Sequence, residues 1–149
     1  MSPDYIKQQF LRAAAVRYVW SFLGLPYRWG GDDPVGGFDC SGLIVEVLQG
    51  VGLLLHGTDM TANGFYLRYS AHVVTKGYAG CLVFWFNPDN LATHVEMMID
   101  DFHTIGASGG GSATTSSEAA AQANAYIKMR PLGYRGQNYK ICDPFLGGV

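Results

Sequence analysis

The chain has 149 residues, a formal net charge of −2 and a pI of about 6.0. It contains no run of Lys and Arg residues, which argues against nucleic acid as its main partner. With 48% hydrophobic and 15% charged residues it can build the core of one compact domain, which we predict over residues 1–149. No apolar run approaches the roughly 20 residues of a membrane span, so no membrane partner is expected.

The N-terminal sequence and the cysteine count bear on the compartment. Met1 to Tyr5 lacks a basic start followed by an apolar block, so we expect no signal peptide. An odd number of cysteines then predicts free thiols in a reducing compartment; they are Cys40, Cys81 and Cys142. No CxxC pair occurs and the histidines lack the spacing of zinc ligands, so we expect no structural metal.

The first segment has the periodicity of a helix. Ser2 and Pro3 form a typical helix start. Apolar residues then recur at nearly 3.6-residue spacing as far as Leu23, and Gly24 ends the pattern. We therefore predict a first helix over residues 3–23.

Two further helices are predicted in the first half of the chain. Residues 25–39 have too many Gly and Pro residues for a regular element and are predicted to form turns. A second helix begins at or just before Cys40 and fades at Gly50 or Gly52. A short third helix over residues 60–69 is only weakly indicated, because an Asn-Gly pair interrupts it. Its N-cap would be one of two residues, Thr58 or Asp59.

From residue 73 onward the pattern changes to that of β-strands. Strands are predicted over residues 80–86, 94–99, 102–107 and 126–131, the second and third forming a hairpin. Residues 108–124 are expected to be a mobile loop or a loop with one helical turn, and the tail 132–149 to be irregular. Helices followed by a strand meander predict an α+β domain, with the helices packed on one face of an antiparallel sheet.

Cys40 is a candidate nucleophile because it lies at the predicted start of the second helix. Unpaired N–H groups and the helix dipole favour a thiolate there, and could hold the oxyanion formed when a carbonyl is attacked. Taken alone, Cys40 could be a small buried residue, as most free cysteines are. A nucleophilic cysteine needs a base, and His94 is the best placed histidine, at the start of a predicted strand. His56 and His72 lie in loop-like segments and are expected at the surface.

Five blocks of the sequence resemble those of a known family. They are Tyr27-Arg28-Trp29-Gly30-Gly31, Phe38-Asp39-Cys40-Ser41-Gly42-Leu43, Gly80-x-Leu82-Val83-Phe84-Trp85, His94-Val95 and Ile105-x-Ala107-Ser108. Over roughly residues 14–131 the chain resembles the NlpC family of papain-like cell-wall endopeptidases. The resemblance implies a papain-like fold and a cysteine peptidase that needs no cofactor. It also implies cleavage of peptidoglycan stem peptides, between the γ-carboxyl of D-glutamate and the following diamino acid.

The same resemblance implies roles for single residues. Cys40 would be the nucleophile and His94 the general base. The residues assigned to substrate binding are Tyr27, Trp29, Asp39 and Ser41. Tyr27 would bind the peptide or the oxyanion, whereas Asp39 and Ser41 would hold the free α-amine of the stem peptide. Asp39 could instead only cap the second helix, and the two aromatic residues could belong to the core.

Two positions depart from the family's pattern. Cys81 stands where members usually have Asp, and we expect it to be a buried thiol. Gly106 stands where the family has the polar residue that orients the histidine. Glu96 follows His94 by two residues, on the same strand face and near the level of Gly106 on the partner strand. We therefore expect Glu96 to orient His94, in the space left by the glycine, and to raise the pKa of the imidazole. Alternatively, Glu96 is a solvated surface residue, and Ser108 or an ordered water orients His94.

The expected partner is therefore a peptidoglycan stem peptide, whereas the oligomeric state and the diamino acid are not indicated. Because no signal peptide is expected, the protein would reach the wall as a phage lysis or tail protein, or as an effector of a secretion machine. Two other functions stay open. One is a non-catalytic binding or structural module, which the vacant orienting position favours, and the other is a thiol amidase or acyltransferase on a different substrate.

Overall fold

The computed structural model describes residues 2–146. The helices are α1 (Pro3–Trp20), α2 (Cys40–Gly50), α3 (Ala62–Tyr69) and α4 (Ser117–Ala123), with a 3₁₀ turn at Ser70–His72. The strands are β1 (Asp32–Asp33), β2 (Gly37–Phe38), β3 (Val73–Val74), β4 (Leu82–Phe86), β5 (Ala92–Met98), β6 (His103–Ser108), β7 (Tyr126–Pro131) and β8 (Tyr139–Cys142). Within residues 2–146, no helix has the length and apolar character needed to cross a lipid bilayer.

Six strands form one antiparallel sheet in the order β3-β8-β4-β5-β6-β7, and β1 and β2 form a separate short hairpin. The main core fills the space between one sheet face and helices α1, α2 and α3. On β5, Val95 and Met97 belong to this core, so the alternating residues His94 and Glu96 point to the opposite face. The predicted α+β architecture is confirmed.

Helix α2 begins at Cys40 because Asp39 caps it. The Asp39 side chain accepts a hydrogen bond from the Gly42 N–H at 2.7 Å, which satisfies one of the unpaired donors of the first turn. A Cβ atom at Gly42 would lie 1.9 Å from the carbonyl oxygen of Gly31, so only glycine lets the glycine-rich loop pack this closely. Most of the remaining helix is buried, which fixes Cys40 against the sheet.

Two helix boundaries were predicted wrongly. Helix α1 ends at Trp20 instead of residue 23, because the Phe22 N–H bonds to the Val19 carbonyl and the chain turns before Gly24, whose φ is +88°. Helix α3 has Thr61 as its N-cap, not Thr58 or Asp59. Thr61 accepts from the Gly64 N–H at 3.0 Å, so the Asn-Gly pair lies in the first helical turn instead of interrupting the helix.

Two segments predicted to be irregular contain regular elements, and residues 108–124, for which one helical turn was an alternative, contain two turns. The 25–39 segment holds the hairpin of β1 and β2, and residues 108–124 hold the two-turn helix α4. The tail contains β8, which pairs with both β4 and β3. Its strand character depends on partners about 60 residues away, with Val83 opposite Ile141, so no local pattern indicates it. The end of the predicted tail, residues 147–149, lies outside the described residues.

Candidate active site

A groove of about 390 Å³ lies where the start of α2 meets the sheet. Its lining includes six of the residues selected from the sequence: Tyr27, Trp29, Asp39, Cys40, Ser41 and His94. The seventh, Glu96, lies behind His94 and is fully buried. The fold therefore brings together residues that are up to 69 positions apart in the chain.

Cys40 is the first residue of α2 and is half-buried on the groove wall. The N–H groups of a first helical turn have no partner within the helix and carry the positive end of its dipole. An attacked carbonyl next to the Cys40 sulfur would therefore find backbone donors close to its oxygen.

His94 joins Cys40 to Glu96. Only 4% of His94 is exposed, and its Nε2 lies 2.6 Å from Glu96 Oε2. An ionised carboxylate only accepts hydrogen bonds, so Nε2 carries the hydrogen and Nδ1 is left for the Cys40 thiol. Burial alone would lower the pKa of His94, but the contacts with Cys40 and Glu96 outweigh it and raise the pKa above its ordinary value.

Glu96 is held by three donors. Besides His94, the Thr104 hydroxyl donates to Oε1 at 2.6 Å and the Tyr134 hydroxyl donates to Oε2 at 2.6 Å. Burial would raise the pKa of Glu96, but these bonds and the charge of His94 hold it below its ordinary value. Glu96 is therefore an ionised, fully bonded partner of the imidazole and not a solvated surface residue.

Gly106 leaves the space that Glu96 occupies. A Cβ atom at Gly106 would lie 2.2 Å from Glu96 Cγ, a contact that real Cβ atoms do not make. The register of β5 and β6 puts the two residues side by side, with Met97 opposite Ile105. The expected placement of Glu96 beside both His94 and Gly106 is confirmed. Its role in a reaction remains a proposal.

The sequence reasoning missed three residues of this region. Thr104 lies two positions before Gly106, so strand alternation could have placed it on the same face. Tyr134 and Arg135 belong to the β7–β8 loop, which we call the 132–138 loop and which was predicted only as part of the irregular tail. No local pattern shows that this loop folds back over β5, so only the tertiary structure finds them.

The predicted substrate-binding residues differ in their surroundings. Tyr27 is 6% exposed, and burial, reinforced by Cys40 and Asp39, raises its pKa to about 12, so the phenol keeps its proton. Trp29 is 54% exposed at the rim and therefore is not a core aromatic. Asp39 caps α2 and also lines the groove, so its two predicted roles are compatible.

The remaining cysteines lie away from the groove. Cys81 is fully buried, as expected, and burial raises the pKa of its thiol to about 11. Cys142 is also buried, and burial raises its pKa to about 11. Across residues 2–146, no three His, Cys, Asp or Glu side chains come together in a way that could hold a metal ion.

A cysteine at a buried helix N-terminus, facing a histidine on an antiparallel sheet, defines a papain-like domain. The chain belongs to the NlpC/P60 family, whose sequence model matches residues 24–131. A solved structure described as the NlpC/p60 domain of the peptidoglycan hydrolase SagA is 26% identical, with a TM-score of 0.60. That alignment covers 87% of this chain and 97% of the SagA domain.

Two curated proteins align with part of the chain. "Murein DD-endopeptidase MepH" of Escherichia coli is 47% identical over 68 residues, which are 45% of this chain and 24% of MepH. "Probable endopeptidase Rv2190c" of Mycobacterium tuberculosis is 44% identical over 54 residues, 36% of this chain and 14% of that protein. The chain thus aligns with less than a quarter of either relative's length.

Proposed function

We propose that this protein is a cysteine endopeptidase that hydrolyses peptidoglycan stem peptides. The observation that carries the proposal is the buried Glu96–His94 pair, 2.6 Å apart, next to Cys40 in an open groove. Burying two ionisable groups is costly unless they are paired and bonded, so a solvent-facing thiol at the end of such a pair indicates chemistry. Relatives named as peptidoglycan hydrolases and endopeptidases support the substrate class.

The reaction starts at the Cys40 sulfur. As a thiolate paired with the imidazolium of His94, it attacks the scissile carbonyl, and a carbon–sulfur bond forms. The oxyanion is held by the Cys40 N–H and by the Tyr27 hydroxyl, which remains protonated at neutral pH. His94 then gives its proton to the leaving amine, and the carbon–nitrogen bond breaks. Water, deprotonated by His94, releases the acyl group from sulfur, and no cofactor takes part.

Glu96 acts on this reaction through His94. Its carboxylate fixes the ring so that Nδ1 faces the thiol, and its negative charge favours the imidazolium. A neutral amide or imidazole in this place would orient the ring but would add no charge. Glu96 is therefore a positioning residue that also sets the pH range over which the ion pair exists.

The bond we assign is the one between the γ-carboxyl of D-glutamate and the following diamino acid, with the cell wall as the place of action. In this assignment Asp39 and Ser41 hold the free α-amine of the stem peptide at one side of the groove. Trp29, exposed at the rim, offers an apolar face to the peptide. The non-catalytic alternative loses its main support, because Glu96 fills the space of the vacant orienting position.

Digestion of purified stem peptides with a free α-amine tests the proposal. Wild-type protein should release a product with a new N-terminus on the diamino acid, identified by mass spectrometry, and Cys40→Ala should release none. Cys81→Ala is the matched control, because it removes a buried thiol outside the groove. Unchanged stem peptides with wild-type protein, or equal cleavage by Cys40→Ala, would contradict the proposal.

A further inference from the structure

Within the described residues 2–146, Arg135 is the one Lys or Arg side chain in the groove lining. It is exposed to solvent. Its charge partly offsets the rise in the pKa of Tyr27, and a hydrogen bond from it partly offsets the rise in the pKa of Tyr134. Among residues 2–146, no carboxylate forms a salt bridge with Arg135. The groove therefore presents a guanidinium whose charge the described residues do not pair.

The loop around Arg135 is fixed on both sides. The preceding residue, Tyr134, donates its hydroxyl to the buried Glu96 at 2.6 Å. The following residue, Gly136, accepts a hydrogen bond from the Trp85 indole at 3.2 Å. These two hydrogen bonds fix the backbone on either side of Arg135, so less conformational entropy is lost when its side chain binds a ligand. This arrangement differs from that of a surface arginine on a free loop.

A guanidinium binds a carboxylate through two parallel hydrogen bonds. The carboxylate is also the anion that a peptide supplies. In a residue linked through its γ-carboxyl, the α-carboxylate is a branch three carbons from the scissile carbonyl. A substrate attacked by Cys40 would therefore carry this carboxylate within the same groove as Arg135. Converting it to a carboxamide removes the charge and replaces one acceptor oxygen with a donor.

We propose that Arg135 selects substrates with a free α-carboxylate next to the scissile bond and disfavours those in which it is a carboxamide. This inference rests on the proposed peptidase function and adds a specificity residue to it. Arg135 makes no covalent contribution to the reaction. Its contribution is to the binding of the acyl side of the substrate.

Two pairs of synthetic tripeptides test the inference: Ala-γ-D-Glu followed by lysine or diaminopimelate, each with its α-carboxyl free or amidated. Wild-type protein should show a kcat/KM about 10-fold or more higher for the free acid, the order expected for a charged hydrogen-bonded pair. Arg135→Gln should lose most of this preference by losing activity on the free acid alone. Arg135→Lys should keep part of it, because it keeps the charge but not the two-pronged geometry. Arg17→Gln, a charge loss on the exposed side of α1, should change nothing.

Equal losses on acid and amide in Arg135→Gln would overturn the inference, because an oxyanion or structural role predicts that result. Cleavage by wild-type protein with no preference would also overturn it, while the peptidase function would stand. If wild-type protein cleaves none of the peptides, the proposed function fails. The inference is then decided by calorimetry, which compares the binding of the acid and of the amide to Cys40→Ala, with Arg135 present or replaced. Arg135-dependent preference for the acid supports it, and equal or absent binding overturns it.

Discussion

Glu96 and Gly106 share one space beside His94, and the structure shows how the carboxylate fits there. A carboxylate from β5 occupies the space that a side chain at position 106 would fill on β6. Glu96 and Gly106 thus depend on each other, because a side chain at position 106 would displace the Glu96 carboxylate. Thr104 and Tyr134 complete this arrangement by binding the carboxylate oxygens.

We expect the charge of Glu96 to set the alkaline limit of activity. Glu96 raises the pKa of His94, so the imidazolium persists to higher pH than it would beside a neutral partner. In Glu96→Gln the alkaline limb of kcat/KM should move to lower pH, and the maximum should fall by about 10- to 100-fold, as for loss of a hydrogen bond between charged groups. A pH–rate profile measures both effects. Glu118→Gln, at an exposed position, is the control, and an unshifted limb would rule out the role of Glu96.

Gly106 should tolerate no side chain. In Gly106→Ala the new methyl group would meet Glu96 Cγ at 2.2 Å, so the carboxylate must leave His94 or the strands must part. Overpacking of this kind costs about 1–3 kcal/mol, so Tm should fall by several degrees together with activity. Gly111→Ala is the matched control, because a Cβ atom there meets nothing within 4 Å. Equal Tm and activity in the two variants would contradict the tight contact.

At the scale of elements, the start of α2 combines a helix cap with one wall of the groove. Asp39 can serve both as the cap and in substrate binding, because it caps the helix and lines the groove. The glycine contact between residues 31 and 42 brings the preceding loop against the same helix start. The stability and the binding effects of Asp39 should therefore be separable by the choice of substitution.

Asp39→Asn should keep the cap and lose the charge, whereas Asp39→Ala should lose both. Loss of the cap costs about 1 kcal/mol, or roughly 2–4 °C in Tm for a domain of this size, and is expected only for Ala. Both variants should lose activity on a stem peptide with a free α-amine, but not on its N-acetylated form. Calorimetric Tm and kcat/KM on the two substrates measure this, and full activity of Asp39→Asn on the free amine would leave Asp39 as a cap alone.

Some elements near the site are predicted by their local sequence pattern, and others are not. Helix α2 and strand β5 are indicated by capping, periodicity and the two-residue spacing of His94 and Glu96. The four substrate-binding residues were assigned through the family resemblance of their sequence blocks. Strand β8 is positioned by pairing with β4 across a long sequence separation. The 132–138 loop is positioned by hydrogen bonds from Trp85 and Phe86 of β4 to the carbonyls of Gly136 and Asn138. Local patterns carry no information on such pairing, which is why Tyr134 and Arg135 were not predicted.

At the scale of the whole molecule, a buried ion pair joins the first helix to the residue that follows the last strand. Arg12 on α1 donates to both carboxylate oxygens of Asp143, at 3.0 and 2.9 Å, and the Tyr78 hydroxyl also donates to this carboxylate. Asp143 is fully buried. Arg12, Tyr78 and Asp143 do not line the groove, so this ion pair contributes to the stability of the domain without contacting the candidate site.

Breaking this ion pair should destabilise the fold and spare the chemistry. Arg12→Met leaves the Asp143 carboxylate buried and unpaired, which costs about 3–5 kcal/mol. Tm should fall by roughly 6–20 °C, measured by thermal unfolding, while kcat/KM at low temperature stays near that of the wild type. Arg17→Met on the exposed side of α1 should leave Tm unchanged. A similar Tm for both variants would show that the pair contributes little.

The proposed activation of the Cys40 sulfur by His94 is tested most directly by alkylation with iodoacetamide at a pH of about 6. Peptide mapping should show Cys40 labelled in wild-type protein about 10-fold or more faster than in His94→Ala, because the mutant lacks the imidazolium. Cys81 and Cys142 should remain unlabelled in both, since both are buried with pKa values raised to about 11. Equal labelling of Cys40 in the two proteins would contradict the account.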